Sequence, residues 1–265
     1  MDSPPILSAT TIVKRYGNYT AVDGLSLFAR SGQVLGYLGR NGAGKTTTIR
    51  VLTGMLKPDS GTAIIDGIDV AKDPLAVKRI IGYVPESGAL YDWLSANEYL
   101  HLIGRLHALP EDTLGLRVKE MLAAFGLEEK ANDRMDGYSK GMRKKVAIAA
   151  ALVHDPKVIF LDEPLDGLDA NSAILLKALV RGLARAGKTV FYCSHMLDVV
   201  ERVCDRVIVI DQGRVIAQGT VDELRSASSQ SSLEGIFREL TNPGDLEGLA
   251  DRLVKATSAK APSAA

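Results

Sequence analysis

The apolar positions of the chain fall into two patterns, and the change between them lies near residue 33. Before it, the short β-rich runs ILSATTIV at 6–13 and LSLFAR at 25–30 flank RYGNYTAVDG. They predict an antiparallel layer with a loop between its strands. After it come strand-like apolar runs: QVLGYL at 33–38, IIGYVP at 80–85, VIFLD at 158–162, TVFYC at 189–193 and VIVID at 207–211. Helical stretches fall between most of these runs, which predicts a parallel-sheet α/β architecture. The first βα unit is the most regular: QVLGYL, a Gly-rich loop, then KTTTIRVLTGML, stopped by the turn residues KPDSG.

Residues 87–155 break the alternation, with helical patterns and almost no strand signal, and are expected to form an inserted helical subdomain. Ser95 and Glu98 have the spacing of a capping box at the head of ANEYLHLIGRLHAL. After Gln212-Gly213 a short hairpin, RVIAQG, leads to the helix VDELRS. The Ser-rich SASSQSS and the final ATSAKAPSAA are poor in bulky apolar residues. Residues 1–225 are therefore expected to form one domain, followed over 226–265 by a linker, a short helix and a flexible tail.

Charge and cysteine content narrow the function classes. Lys plus Arg total 32, equal to Asp plus Glu, which argues against a globally basic nucleic-acid binder. Cys193 and Cys204 have no CxxC or metal spacing and read as buried thiols in a reducing compartment. The start, MDSPPILSAT, lacks the pattern of a signal peptide, so the chain is expected to stay inside. Its longest apolar run, VAIAAALV, is far short of the ~18 residues that suggest a membrane span. A membrane role would need a separate partner.

The strongest chemical signal is GRNGAGKT, Gly39 to Thr46, lying between an apolar strand and a helix. In such a loop glycines let backbone N–H groups curl round phosphate oxygens, the helix dipole points at them, Lys45 reaches the β and γ phosphates, and the Thr46 hydroxyl is offered to Mg²⁺. VIFLDEP ends a buried-type strand in two carboxylates. Asp162 would stand beside the phosphate loop as a magnesium ligand, and Glu163 would orient or deprotonate the water attacking the γ phosphate. The plainer reading, two acids capping the next helix, loses ground once the Gly-rich loop is present. His195 follows another buried-type strand and would reach the same sheet edge. His101, His107 and His154 lack metal spacing and read as surface or core residues.

YSKGMRKK at 138–145 raises a different question. Ser139 is a natural N-cap for the helix running through VAIAAALV, yet Arg143, Lys144 and Lys145 then crowd a helix end that already carries partial positive charge. A bound anion would relieve that conflict, so a second phosphate-facing helix terminus is expected there.

The phosphate loop, YSKGM shortly before LDEP, then GLD at 167–169 and the post-strand His195 occur in this order. The combination resembles the nucleotide-binding subunits of ABC transporters from about residue 6 to 225. The resemblance implies a P-loop NTPase core and an ATPase that binds ATP and Mg²⁺ through Gly39, Asn41, Gly42, Ala43, Gly44, Lys45, Thr46 and Thr47. It implies Tyr16 stacked on adenine, with Tyr19 a close competitor, and Glu163 and His195 as catalytic groups beside Lys45. YSKGM stands where the family has its LSGGQ signature, so Ser139 and Gly141, flanked by Lys140 and Met142, would face ATP held by a second copy. Asp169 matches a carboxylate at that dimer interface.

Several positions depart from the family pattern. Glu86 replaces a usual Gln and could still contact magnesium or water. Met142 cannot donate a hydrogen bond to ribose, Lys140 adds a cation, and Arg40 stands where Pro is common. Glu86, YSKGM and the late segment SLEGIFRELT resemble ATPase subunits of drug, lipid or polysaccharide exporters whose membrane permease is a separate chain. That implies a peripheral protein on the cytoplasmic face of the membrane, paired with a second ATP-binding subunit, most simply its own copy, and with a permease; no nucleic acid is expected. SGALYDWLS at 87–95 supplies Leu90, Tyr91 and Trp93 either for internal packing or as a socket for a permease helix. A soluble family member acting on ribosomes or DNA is the main rival, and a non-catalytic nucleotide switch the second.

Overall fold

The computed structural model describes residues 4–241 apart from 89, 229 and 231. Strand β1 (Leu7–Tyr16) pairs antiparallel with β2 (Tyr19–Ala29), with Tyr16 opposite Tyr19. The loop expected over RYGNYTAVDG is therefore mostly strand, and only Gly17 and Asn18 turn. Register shifts within β1 absorb its irregular pattern, while Ala21 and Val22 of β2 are buried. Cross-strand packing here overrides the local turn signals of Gly, Asn and Asp.

Strand β3 (Val34–Gly39), buried at every position, feeds helix α1 (Lys45–Leu52). Strands β4 (Ser60–Ile65) and β5 (Ile68–Asp69), not anticipated from the sequence, complete a four-stranded sheet in the order β2-β1-β4-β5. Helix α2 (Pro74–Ile80) is capped by Asp73, which accepts from the Ala76 N–H at 2.9 Å, and has Pro in its first turn. It leads into β6 (Ile81–Val84).

The inserted segment forms α3 (Ala96–Leu106), α4 (Glu111–Ala124) and α5 (Lys140–Leu152). Their facing apolar residues, including Leu100, Leu114, Val118, Leu122, Val146 and Val153, make a separate small core. The capping box at Ser95 and Glu98 closes in both directions.

Then follow β7 (Val158–Asp162), α6 (Ala170–Arg185), β8 (Thr189–Cys193), α7 (Leu197–Val203), β9 (Arg206–Asp211), β10 (Arg214–Gly219), α8 (Val221–Ser226) and α9 (Leu233–Thr241). The larger sheet runs β10-β9-β3-β8-β7-β6, parallel except for β10 at its edge. Its strands bury both faces: Leu35, Tyr37, Phe160 and Phe191 face the four-stranded sheet and α1, and Val34, Leu38, Leu161, Val190 and Tyr192 face α5, α6 and α7. This two-sided burial is why these strands read as continuous apolar runs. Leu233 and Ile236 bury α9 against the second core. The loose tail expected at 256–265 lies outside the described residues.

Candidate functional site

The carboxyl ends of β3, β7 and β8 meet at one edge of the larger sheet, where ligands gather in open α/β folds. The loop after β3 is shaped by close approach. Gly44 has φ of 101°, and a methyl group there would lie 2.3 Å from the Ala21 carbonyl oxygen. Only glycine combines that backbone with that clearance. Helix α1 starts directly behind it, so unpaired N–H groups and the positive end of the helix dipole face the loop. The Lys45 ammonium donates to the Gly39 carbonyl at 2.7 Å and to that of Arg40 at 3.3 Å, holding the side chain across the loop.

A cleft of about 670 Å³ opens here. It gathers Tyr16, Tyr19, Gly39, Asn41, Gly42, Gly44, Lys45, Thr46, Thr47, Glu86, Asp162, Glu163 and His195 from five separate stretches of chain. Ala43 is behind the loop, with its methyl in the core. The two candidate tyrosines differ: the Tyr19 hydroxyl donates to the Gly42 carbonyl at 3.2 Å, whereas the Tyr16 hydroxyl makes no hydrogen bond among the described residues.

Asp162, 2% exposed, has one carboxylate oxygen, Oδ2, with no protein partner. Burial pushes its carboxyl above the ordinary range, and the negative charges of Glu86 and Glu163 add to the rise, while the Cys193 thiol hydrogen-bonded to it acts the other way. A buried acceptor left without a partner suits a cation.

Glu163 is held from several directions. Its backbone has φ of 45°, its N–H donates to the Cys193 carbonyl at 2.9 Å, and its Oε2 accepts from Ser194 Oγ at 3.1 Å and the His195 N–H at 3.3 Å. His195 Nδ1 stands 2.9 Å from the same oxygen. The acid and the imidazole thus reach the cleft as a pair. His101 and His154 make ordinary contacts with backbone carbonyls, and His154 stacks on His107.

The other group of candidates is elsewhere. Ser139, Lys140, Gly141 and Met142 are absent from the cleft and form the head of α5. Ser139 Oγ accepts from the Met142 N–H at 3.2 Å, so it caps its own helix while its hydroxyl hydrogen stays available to donate. A side chain on Gly141 would strike the Gly167 carbonyl at 2.8 Å. The Met142 side chain packs on the helical core. Asp169 caps α6, accepting from the Ser172 N–H at 3.0 Å and from its hydroxyl at 2.6 Å.

Three of the four cations of YSKGMRKK meet groups of their own chain. Lys140 is 3.8 Å from Asp166, and Arg143 is 3.8 Å from Asp92. Lys144 turns inward to backbone carbonyls of its own chain. The sequence groups Lys144 with the anion-facing cations, although its place four positions before Ile148 on the buried stripe of α5 signals an inward direction. The sequence gives no site role to Ser194 and reads Cys193 only as a buried thiol, which it is.

Residues 22–166 match the family described as ABC transporter. The chain belongs to this family. It is 41% identical to the ABC transporter ATP-binding protein NatA of Bacillus subtilis, over 82% of this chain and 89% of that protein. It is 40% identical to the daunorubicin resistance ATP-binding protein DrrA3 of Streptomyces coeruleorubidus, over 85% and 72% respectively. Among solved structures, an ATP-binding subunit of an ABC transporter superposes with a TM-score of 0.85 at 30% identity, covering 89% of this chain and 99% of that one. A dimeric ATP-binding cassette in a post-hydrolysis state with ADP and Pi superposes at 0.75 and 26% identity, covering 81% and 98%. The ABC ATPase fold expected from the sequence is thus present, and this ABC protein is an ATP-binding ATPase. No helix among its described residues is long and apolar enough to cross a membrane.

Proposed function

We propose that this ABC ATPase is the motor subunit of an exporter: two copies close on two ATP molecules and drive a separate membrane permease. The observation that carries the reading is the convergence of the Gly39–Thr46 loop, Asp162 and the Glu163–His195 pair on one cleft.

ATP enters with adenine on Tyr16 and its phosphates against the loop amides and Lys45, which exchanges its carbonyl partners for phosphate oxygens. The site's donors fit magnesium, which takes one or two carboxylates and completes its shell with phosphate oxygens and water. Thr46 and the unpartnered Asp162 oxygen would hold it, with Glu86 near. When bound, Mg²⁺ neutralises charge on the β and γ phosphates. Glu163 accepts the proton of the attacking water, and His195 orients that carboxylate and contacts the γ phosphate. The second copy supplies the Ser139 hydroxyl and the Gly141 amide at the exposed side of the phosphates, with Lys140 and Met142 beside them and Asp169 at the interface.

Closure does work because ATP binds the closed pair better; a shift from 1:99 to 99:1 needs about 5.5 kcal/mol of differential affinity. Tyr91 and Trp93, stacked and 50% and 64% exposed, offer a docking surface for a permease on the cytoplasmic face of the membrane. Export is supported by relatives named for Nod factor export and for linearmycin resistance. The rival action on ribosomes or DNA has no such support.

The Glu163→Gln chain tests the reading. With ATP and Mg²⁺ it should bind nucleotide, stop turning over and run as a dimer in gel filtration, and capture from detergent-solubilised membranes should bring a permease with it. Ser139→Arg should prevent the dimer and spare ATP binding. Wild-type hydrolysis by Glu163→Gln removes the base, and a dimer formed by Ser139→Arg removes the sandwich.

A further inference from the structure

Lys144 is 1% exposed, the most deeply buried cation among the described residues. Its ammonium donates to three backbone carbonyls: Pro85 at 3.3 Å, Glu86 at 3.1 Å and Glu163 at 3.3 Å. All three of its N–H donors are thereby used. Burial drives its pKa down from the ordinary lysine value, and the charges of Asp166, Asp162 and Glu86 counter only part of that.

Burying an ammonium is costly, and here the cost is offset by the three carbonyls it collects. The carbonyls it collects belong to two segments that each carry a site residue, Glu86 and Glu163, and the lysine itself sits on the helix that begins at Ser139. Glu163 also has a backbone conformation that non-glycine residues adopt only when their surroundings impose it. Its N–H is fixed by Cys193, its carboxylate by Ser194 and His195, and its carbonyl by Lys144 together with the Asp166 N–H.

We infer that Lys144 is a positioning residue for hydrolysis: its ammonium locks the backbone of Glu163 to the 85–86 segment and to α5, so that the base and the Ser139 helix move as one piece. The inference rests on Glu163 being the base. It assigns Lys144 no contact with ATP, so its loss should fall on turnover and leave binding alone.

The test uses the purified full chain and compares wild type, Lys144→Met, Lys144→Gln, Lys144→Arg and Glu163→Gln by ATP binding, steady-state hydrolysis and thermal melting. Lys144→Met keeps the length and loses every donor. It should remain folded and bind ATP within about 3-fold of wild type, yet lose roughly 100-fold in kcat, the scale of an ångström-level misplacement of a catalytic group. Lys144→Gln should fall between, and Lys144→Arg, which restores charge and donors, should recover at least about a tenth of the wild-type rate. Wild-type kcat in Lys144→Met overturns the inference. So does a parallel fall of melting temperature, ATP affinity and kcat in both Met and Gln variants, which marks a purely structural lysine. If Glu163→Gln hydrolyses ATP like wild type, the base assignment fails and the inference goes with it. If Glu163→Gln is inactive while Lys144→Met is active, only the role of Lys144 is lost.

Discussion

His195 Nδ1 stands 2.9 Å from Glu163 Oε2, although the two residues leave the sheet from different strands, 32 positions apart. The contact fixes the rotation of the carboxylate and leaves the imidazole exposed toward the cleft. His195→Ala should therefore lower kcat by roughly 100-fold, the usual scale for an oriented acid–base partner, with a much smaller change in KM. Steady-state kinetics over a range of ATP concentrations separates the two. An equal rise in KM would mean that the histidine mainly holds ground-state phosphate.

Asp162 supports a prediction with a pH sign. Its folded-state pKa is raised, chiefly by burial, above the ordinary value of 3.8. Between that value and the folded one the native chain holds the proton more tightly than the unfolded chain, so this group's contribution to stability is present at low pH and is lost as pH rises through the window. Asp162→Asn removes the buried charge. The nucleotide-free variant should melt above wild type at pH 7, with the gap closing toward pH 4, while ATP affinity that depends on added Mg²⁺ falls. Calorimetry with and without MgATP reads both effects.

Gly44→Ala places a methyl group 2.3 Å from the Ala21 carbonyl oxygen at a φ of 101°. Strain alone should cost about 1–3 kcal/mol, and the loop must move away from β2 to relieve the clash. ATP binding should be lost even in variants that remain folded. Isothermal titration with ATP, beside a melting curve, shows whether the loop or the whole domain has failed.

Tyr16 and Tyr19 can be told apart by their contacts. Tyr16→Ala should weaken ATP binding by about 3- to 10-fold, the worth of one stacked ring, and Tyr16→Phe should be neutral. Tyr19→Phe removes the hydrogen bond to Gly42 and should loosen the loop without selectivity for the base. Comparing ATP with inorganic triphosphate as competitors separates adenine stacking from loop support, since only Tyr16→Ala should erase the preference for ATP.

Much of the site was legible because its residues act through local backbone geometry. The Gly39–Thr46 loop is shaped by its own glycines and helix start, and Asp162, Glu163 and His195 end or follow apolar strands that must be buried in a parallel sheet. The capping box at Ser95 and Glu98 is equally local. The strand over Tyr19–Val22 and the small strands β4 and β5 were not legible, because their pairing partners lie across the four-stranded sheet and turn-forming residues mask their pattern.

The basic helix start of YSKGMRKK marks the boundary between the two sources of information. Sequence alone determined the family, the phosphate loop, the order of the motifs and the cap at Ser139, all set by residues close together in the chain. Only the tertiary structure decided that Lys144 turns inward to carbonyls at 85, 86 and 163 and that Lys140 and Arg143 meet Asp166 and Asp92. A charge on a helix is resolved by whatever dipoles the rest of the fold packs against it, and those come from segments that are neighbours only after the sheet and the helical subdomain have assembled.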